Sequence, residues 1–446
     1  MSSYTLHKNN INFRQDPVCA EIIHRWCVDF PEDEKTISAV ELEQGISLHG
    51  WVLLADLDAM SRVEIVVQQG EQRQRLPLNI RRPDVVKTFT LDEGFLRCGF
   101  RHTVPIAHES FVVGVALDGR IFDLTRYHVK GPFAILRGED GWLFLDNDTN
   151  KSVAQHTGDL LMAEEQQAQW QHYFVDFATL AQAQECEFSL LVAPAKEAVY
   201  AQYHPLPRSP ITIVEQLQSL APEQFPLVYP TAELAQSAEY PTFRRKDTHW
   251  TQYGAMLATL ALLRQLNVAV APATETFAKD EYREREVGGD LGNKLYPVEK
   301  HRELFLVGRR YQEWLRFDNG LQNFGRCLTL VNMDAIVHQH ILIFGSSSAY
   351  TMLDYIGRVF ARVTLIHSAG NIDPQILKAL APDVCVAQTN GRFTVVAPRC
   401  DYDLANDVAI KWGELSITEQ AERRTLIDEY AAADSVAAYL AALVSQ

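Results

Sequence analysis

The sequence predicts an α/β domain, a parallel sheet covered by helices, preceded by an all-β domain at the N-terminus. The first observation is length, because a chain of 446 residues exceeds the roughly 250 to 300 residues over which one hydrophobic core usually grows. The second is a series of strand-like segments joined by tight turns before residue 130. The third is a regular alternation of strands and helices after it. We therefore expect two domains, residues 1–130 and 131–446.

The N-terminal domain shows the period-two pattern of antiparallel strands. Apolar and polar residues alternate in RVEIVVQQ, which begins at Arg62. Asp118 and Gly119 separate FVVGVAL from RIFDL, as in a two-residue hairpin turn. The pattern predicts an antiparallel β-sandwich over about residues 46–124, and we expect EIIHRWCVDF, residues 21–30, to form a short helix.

Strands and helices alternate in the second domain, which favours βαβ units with a parallel sheet. In such sheets, ligands bind beyond the carboxyl ends of the strands. A long helix is expected over residues 160–186, and terminal helices over 417–446. Between them, the predicted strands are FSLLVAP, PLVYP, ILIFG, VTLIH and VCVAQ, and the predicted helices are TQYGAMLATLALLRQL and AYTMLDYIGRVF.

Composition excludes several classes of function. The formal charge is −16 and no block of Lys and Arg occurs, so we expect no nucleic-acid partner. No apolar stretch approaches the roughly 20 residues of a membrane span. The first residues lack the pattern of a secretory signal, which predicts a cytoplasmic location. The seven cysteines show no metal-ligand spacing, and we expect them to be reduced thiols. We expect neither a metal nor a cofactor.

The first chemical motif is ILIFGSSSAY, in which Gly345 and three serines separate a strand from a helix. A hydroxyl at such a turn lies near the positive end of the helix dipole, where backbone N–H groups can hold an oxyanion. One of Ser346, Ser347 and Ser348 is therefore a candidate nucleophile, although serines at this position also serve as helix N-caps.

The second motif is RRKDTHWTQYGA, which places Asp247 and His249 two residues apart just before a helix near Thr251. A carboxylate beside an imidazole fixes its tautomer and makes it a usable general base. The alternative is an aspartate that caps the helix and a histidine that packs beside Trp250.

A metal site is a third interpretation of the same pair. Asp247 and His249 would need a further ligand, and His338 and His340 in the run HQH are the available histidines. Their spacing matches no recognised metal-binding pattern, so we predict no metal.

The residues also resemble a known family. DTHWTQYGA, preceded by GEDGWLFL and LLVAPAKEAVYAQYHP and followed by the strand-serine-helix run, resembles the SGNH-hydrolase-like domain of the alginate O-acetyltransferase (AlgX and AlgJ) family. The resemblance covers about Phe133 to Pro398 and implies an SGNH-like (flavodoxin-like) fold. It also implies that Asp247 is the triad acid, His249 the general base and Ser347 the nucleophile.

Several further residues match the family less closely. Ser346 and Ser348 flank the expected nucleophile, and Asn293 in GGDLGNKLYP is a candidate for the oxyanion site. Arg392 in QTNGRF is interpreted first as a structural residue and second as a candidate substrate residue, because relatives often carry an acidic residue before this arginine and this sequence departs from that pattern. Lys196 in PAKEAVY is a candidate for the lining of the cleft, with the alternative that it is exposed to solvent, as lysines at helix starts usually are.

The resemblance implies a carbohydrate O-acetyltransferase or acetylesterase that works through an acetyl-serine. Such an enzyme requires an acetyl donor, whose identity the sequence does not indicate, and a glycan substrate. Polysaccharide-biosynthesis proteins are further expected partners, and the N-terminal β domain is expected to bind carbohydrate or a partner. The alternative is a non-catalytic glycan-binding or scaffold protein of polysaccharide biosynthesis that retains the fold.

Overall fold

The computed structural model describes residues 3–11, 17–131, 135–237, 239–308, 311–432 and 434–444. Two compact units emerge, one of residues 1–134 with 290–300 and one of residues 135–289 with 301–446. Phe133, where the family resemblance begins, and its neighbours 132 and 134 lie outside the described residues. Within the described part of the chain, none of the helices has the length and apolar character needed to cross a membrane.

The first unit consists mainly of antiparallel strands. Its strands are β1 (Ser3–Asn10), β2 (Ile23–Phe30), β3 (Lys35–Ser38), β4 (Ile46–Leu54), β5 (Glu64–Gln69), β6 (Gln72–Pro77), β7 (Gly99–Val104), β8 (Ser110–Leu117) and β9 (Arg120–Lys130), and its helices include α1 (Pro17–Ile22), α2 (Ala39–Gln44) and α3 (Pro83–Phe89). One sheet has the strand order β3-β1-β9-β8-β5-β6 and the other has the order β2-β4-β7. Side chains from both sheets enter a single buried apolar cluster, so the N-terminal region is rich in β-structure, as its alternating pattern indicates.

The expected helix over residues 21–30 is wrong for most of its length. Helix α1 ends at Ile22, and residues 23–30 form β2, which pairs antiparallel with β4. Ile23 and Val28 are buried in the core of this unit. Strand pairing with β4, which a local pattern does not reveal, decides the conformation here.

The chain from residue 135 alternates between strands and helices. The strands are β10 (Ile135–Arg137), β11 (Leu143–Leu145), β12 (Glu187–Ala193), β13 (Leu227–Val228), β14 (Tyr282–Val287), β15 (His301–Leu306), β16 (Leu315–Asp318), β17 (Cys327–Val331), β18 (Val337–Gly345), β19 (Phe360–His367) and β20 (Val384–Asn390). The helices are α4 (Ser152–Thr157), α5 (Glu164–Ala183), α6 (Lys196–Val199), α7 (Ile213–Leu220), α8 (Thr231–Ala235), α9 (Gln252–Leu266), α10 (Val270–Phe277), α11 (Gly289–Gly292), α12 (Ser347–Val359), α13 (Pro374–Leu380), α14 (Leu404–Gly413), α15 (Ile417–Ala431) and α16 (Ser435–Val444).

The central sheet of the second unit has the order β13-β12-β20-β18-β19-β17-β16. The five strands from β13 to β19 run parallel to their neighbours. Strands β17 and β16 pair antiparallel, so the sheet is mixed and the expectation of a wholly parallel sheet is wrong at this edge. The connection between β16 and β17 is only residues 319–326, which is too short for the crossover that parallel strands require.

Alternate residues of the central strands enter two different apolar clusters. Ile341 and Ile343 of β18 belong to one cluster, with side chains of α9 and α12. Leu342 and Phe344 belong to the other, with side chains of α5, α13, α14 and α16. A strand buried on both sides loses the usual alternation of apolar and polar residues, which explains the continuous apolar run ILIF.

Candidate active site

A tight turn joins β18 to α12 and positions the three serines. A Cβ atom at Gly345 would lie 2.8 Å from Leu365 Cδ1 and 2.9 Å from Ala349 Cβ, so the close approach of strand and helix requires glycine. Ser346 has extended backbone angles and is the N-cap of α12, since its side chain accepts a hydrogen bond from the Ser348 amide. Ser347 is therefore the first residue of the helix.

The three serine side chains have different surroundings. Ser346 and Ser348 are buried, and their hydroxyls donate to the side-chain oxygens of Gln388, at 2.9 Å, and Asn390, at 2.8 Å. Ser347 is half-buried, and its Oγ lies 3.0 Å from His249 Nε2. Among these serines it is Ser347 whose hydroxyl meets the imidazole, whereas the other two fix the turn against the end of β20.

Asp247 orients the imidazole of His249. Its Oδ1 accepts one hydrogen bond from His249 Nδ1 at 2.8 Å and another from the His249 backbone amide at 2.9 Å. Because a carboxylate partner keeps the proton on Nδ1, Nε2 is left with a lone pair directed at Ser347 Oγ. The order carboxylate, imidazole and hydroxyl is the arrangement that allows a serine to act as a nucleophile.

The loop that carries these residues is closed by backbone and side-chain contacts. The amide of Arg244 donates to the carbonyl of His249 at 3.1 Å, and the amide of Thr251 donates to the carbonyl of Thr242 at 2.8 Å. Trp250 is 2% exposed, and its indole N–H donates to the Ser348 carbonyl at 3.1 Å. This bond ties the histidine loop to α12 and so holds the two halves of the site together.

Arg244 links Asp247 to a second carboxyl group. Its Nη1 lies 2.5 Å from Asp247 Oδ2, and its Nε lies 2.6 Å from Glu303 Oε2. Burial raises the pKa of Asp247, but the hydrogen bond from His249 and the charge of Arg244 outweigh it and hold this pKa well below its usual range. The carboxylate is therefore ionised at neutral pH and available to the imidazole.

Lys196 lines a cavity beside His249, as one of the two sequence interpretations has it, and is not exposed to solvent. It is 2% exposed, and its ammonium donates to the backbone carbonyls of Asp247, at 2.8 Å, and Leu143. The rings of Trp142 and Phe144 lie 5.7 Å and 5.0 Å from the ammonium. A buried charge is tolerated when polar groups surround it, and here it anchors the backbone of Asp247.

Two depressions open beside His249. The arginine cavity is lined by Leu145, Pro194, Ala195, Lys196, Glu197, Phe243, Thr248, His249, Trp250, Ser348, Asn390 and Arg392. The aromatic cleft, with a volume of about 280 Å³, is lined by Arg244, His249, Trp250, Thr251, Gln252, Glu303, Leu304, Phe305, Tyr311, Tyr350, Thr351 and Asp354. His249 thus lines both depressions, of which the arginine cavity, at about 30 Å³, is much the smaller.

The remaining predicted residues fall in different places. Arg392 lines the arginine cavity, whereas Asn293 lies in the segment 290–300, which groups with the first unit. His338 and His340 lie near the start of β18, at the opposite end of this strand from Gly345, and His340 Nε2 is 3.0 Å from Thr364 Oγ1. The histidines of the metal hypothesis therefore have a separate location from His249.

Three polar residues of this site are missing from the sequence-based prediction. Gln388 stands near the carboxyl end of a buried strand. A polar residue after an apolar run indicates either a functional side chain or a buried hydrogen bond. Arg244 precedes Asp247 by three residues, a spacing that also occurs by chance in any charged loop. Glu303 lies 56 residues after Asp247, and no local pattern connects the two.

One family model matches part of the chain. The family model of the SGNH hydrolase-like domain of acetyltransferase AlgX matches residues 135–322, which include Asp247 and His249 but not Ser347. No match was found among curated proteins.

Three solved structures are similar to this chain. PatB1 of Bacillus cereus is 12% identical with a TM-score of 0.43, and the alignment covers 61% of this chain and 98% of that one. The O-acetyltransferase domain of Pseudomonas putida AlgJ is 17% identical with a TM-score of 0.37, covering 65% and 98%. Pseudomonas aeruginosa AlgX is 12% identical with a TM-score of 0.35, covering 59% and 63%. The family resemblance drawn from the motifs is confirmed by the family model, which matches residues 135–322 as an SGNH hydrolase-like domain of acetyltransferase AlgX.

Proposed function

We propose that the chain transfers an acetyl group through Ser347, either to a carbohydrate hydroxyl as an O-acetyltransferase or to water as an acetylesterase. The observation that carries this proposal is the continuous set of hydrogen-bonding distances from Asp247 Oδ1 to His249 Nδ1, 2.8 Å, and from His249 Nε2 to Ser347 Oγ, 3.0 Å. The match of residues 135–322 to an acetyltransferase domain supports the nature of the acyl group.

The proposed reaction has two halves that share one base. His249 Nε2 takes the proton of Ser347 while Oγ attacks the acetyl carbonyl of the donor, and the leaving group departs with that proton. The acetyl-serine is then attacked by a sugar hydroxyl or by water, whose proton passes to His249 and then to the departing Ser347 Oγ. The carbonyl oxygen carries negative charge in both steps, and the positive end of α12 is placed to stabilise it.

The aromatic cleft supports a carbohydrate as the acceptor. Phe305, Tyr311 and Tyr350 offer apolar ring surfaces, and Glu303 and Asp354 offer carboxyl groups, beside the imidazole that would deprotonate the attacking hydroxyl. A sugar presents both apolar C–H faces and hydroxyl groups, so a binding site for it needs both kinds of partner.

Hydrolysis of p-nitrophenyl acetate by the purified protein tests the proposal. We expect turnover, and we expect Ser347→Ala and His249→Ala each to lower kcat/KM by about 10³-fold or more. Ser346→Ala and Ser348→Ala should retain most of the rate, since these hydroxyls bond to β20. Addition of a glycan as acceptor separates the two activities, because a transferase forms an O-acetyl glycan and an esterase releases acetate.

Two outcomes would overturn this proposal. Full activity in Ser347→Ala, with loss in Ser346→Ala or Ser348→Ala, would assign the nucleophile to a different serine. Glycan binding without turnover of any acetyl donor would favour the non-catalytic alternative.

A further inference from the structure

Arg392 lines the arginine cavity, and it also lines a second cavity together with His156 and Arg208. It lies in the 3₁₀ turn Gly391–Phe393 that directly follows β20, and its own backbone carbonyl accepts a hydrogen bond from Gln155 Nε2 at 2.9 Å. His249 and Ser348 line the arginine cavity. The backbone at Arg392 is thus held, and its side chain is half-buried beside the residues that flank Ser347.

The guanidinium of Arg392 has an unusual set of partners. Its interaction is with the ring of Phe393, whose centroid lies 5.0 Å from Cζ. Among the described residues, neither a carboxylate nor a carbonyl pairs with this guanidinium. By contrast, Arg244 pairs with two carboxyl groups, and both terminal nitrogens of Arg358 lie 2.7 Å from the carboxylate of Asp280. A partly buried cation without an anion costs free energy unless a ligand supplies one.

The neighbouring groups favour an anionic ligand. Asn390 Oδ1 accepts from the hydroxyls of Ser346 and Ser348, so its amide nitrogen remains as a donor in the cavity lining. Lys196 adds a second positive charge, although its ammonium is bonded to carbonyl groups. Glu197 is the carboxylate of the lining and opposes one of the two cations. Positive charge thus predominates at this place in a chain whose formal charge is −16.

We propose that Arg392 and Asn390 form an anion-binding subsite that holds a carboxylate or phosphoryl group of the substrate beside Ser347. A planar guanidinium binds both groups through paired N–H donors. The carboxylate would come from an acidic sugar that accepts the acetyl group, and the phosphoryl group from the leaving group of an activated acetyl donor. That the bound anion belongs to a substrate rests on the proposed function. That Arg392 and Asn390 bind an anion does not depend on it.

Isothermal titration calorimetry at constant ionic strength tests the subsite, with inorganic phosphate, glucuronate and uncharged glucose as probes. We expect the wild-type protein to bind at least one of the two anions more tightly than glucose. Arg392→Gln should weaken that binding about tenfold or more, and Arg392→Lys should have a smaller effect because the charge remains without the paired donors. A preference for glucuronate identifies an acidic sugar, and a preference for phosphate identifies a phosphoryl donor.

Two controls make the result specific to this residue. Arg399→Gln removes an exposed arginine that pairs with Asp401 and should leave anion binding unchanged. Ser347→Ala should bind the anions as the wild type does, so a failure of the proposed catalytic function would not alter this measurement. The proposal is overturned if neither anion binds better than glucose, or if the Arg392 variants bind both anions as tightly as the wild type.

Discussion

At the scale of single residues, Arg244 stands between two carboxyl groups with opposite pKa shifts. Asp247 has a lowered pKa, whereas burial raises the pKa of Glu303 despite the hydrogen bond from Arg244. The side chain of Glu303 is 5% exposed, and its Oε1 is buried without a hydrogen-bond partner among the described residues. The effect of burial on the pKa is thus outweighed at Asp247, by His249 and Arg244 together, but not at Glu303.

This difference gives a pH dependence of stability for Glu303→Gln. A glutamate in the unfolded chain titrates near pH 4.3, whereas the pKa of Glu303 is raised in the folded protein. Protonation of Glu303 therefore stabilises the folded protein fully below about pH 4.3, and this stabilisation is lost as the pH rises through the folded pKa. Glutamine does not titrate, so the variant does not lose this stabilisation. The free energy of unfolding of the variant minus that of the wild type should therefore increase as the pH rises above about 4.3. Urea unfolding at several pH values measures it. The matched control is Glu414→Gln, at an exposed site. The account would be contradicted if the unfolding free energy of Glu303→Gln, relative to wild type, fell or stayed constant as the pH rose.

Lys196→Met tests the buried ammonium below the histidine loop. Methionine fills a similar volume but leaves the carbonyls of Asp247 and Leu143 without their donor. We expect a loss of about 2–5 kcal/mol in the free energy of unfolding, measured by chemical denaturation. Lys411→Met, at a partly exposed lysine on α14, should change it by less than about 0.5 kcal/mol. Equal stability of the two variants would show that the ammonium does not hold the loop.

The sequence predicts the reacting residues better than their supports. Asp247 and His249 are two residues apart, and Ser347 stands at a recognisable turn, so their chemistry is visible locally. Glu303 and Lys196 act through contacts with residues that are about 50 positions away. Sequence spacing carries no signal of such contacts, which is why the sequence leaves both a cleft-lining and a solvent-exposed Lys196 open.

At the scale of secondary structure, α9 packs closely against the loop that carries His249. A Cβ atom at Gly254 would lie 2.1 Å from the carbonyl oxygen of Thr242, which also accepts the Thr251 amide at 2.8 Å. The first turn of α9 and the strand-like segment before the loop therefore share a backbone contact that admits no side chain. The position of the imidazole depends on this contact.

Gly254→Ala separates helix propensity from packing. Alanine is the better helix former by about 1 kcal/mol, but its Cβ would clash with the carbonyl of Thr242 at a larger cost. We expect a net loss of about 1–2 kcal/mol in the free energy of unfolding and a lower rate with p-nitrophenyl acetate. Thermal unfolding and the kinetic assay measure the two effects. Gly413→Ala, in α14, meets nothing within 4 Å and should be neutral or slightly stabilising. A stabilised, fully active Gly254→Ala variant would refute the close contact.

The element pattern of the second unit was predictable where strands are long and apolar. The strand ILIFG and the helix after it appear in the structure as β18 and α12. Strands β16 and β17 were not predicted, because LRFD and CLTLV are short and lie next to a polar turn. Their antiparallel pairing depends on the brief connection between them, a property of topology that composition does not reveal.

At the scale of the whole molecule, the chain order and the compact units do not coincide. Residues 290–300 lie within the sequence of the second domain but group with the first unit. Tyr296 is 7% exposed, its hydroxyl donates to the carbonyl of Ile106, and its ring lies 5.3 Å from that of Tyr4. A contact between residues almost 300 positions apart leaves no local pattern, so a boundary near residue 130 is all that the sequence predicts.

Tyr296→Ala tests this grouping. Loss of a buried aromatic ring should cost about 3–5 kcal/mol. Hydrogen exchange should become faster in β1, where Tyr4 contacts the ring, and around Ile106, whose carbonyl accepts the Tyr296 hydroxyl. Val298→Ala, at a 43% exposed position of the same segment, should leave exchange unchanged. Unaltered exchange in β1 of the Tyr296→Ala variant would show that the segment is not part of the first core.

The central claim is that Ser347 carries the acetyl group during turnover. Mass spectrometry of the protein quenched during reaction with p-nitrophenyl acetate, followed by peptide mapping, tests it most directly. The account predicts one added acetyl group on Ser347, absent from Ser347→Ala and strongly reduced in His249→Ala. Acetyl on Ser346 or Ser348 instead, or rapid turnover with Ser347 never modified, would contradict it.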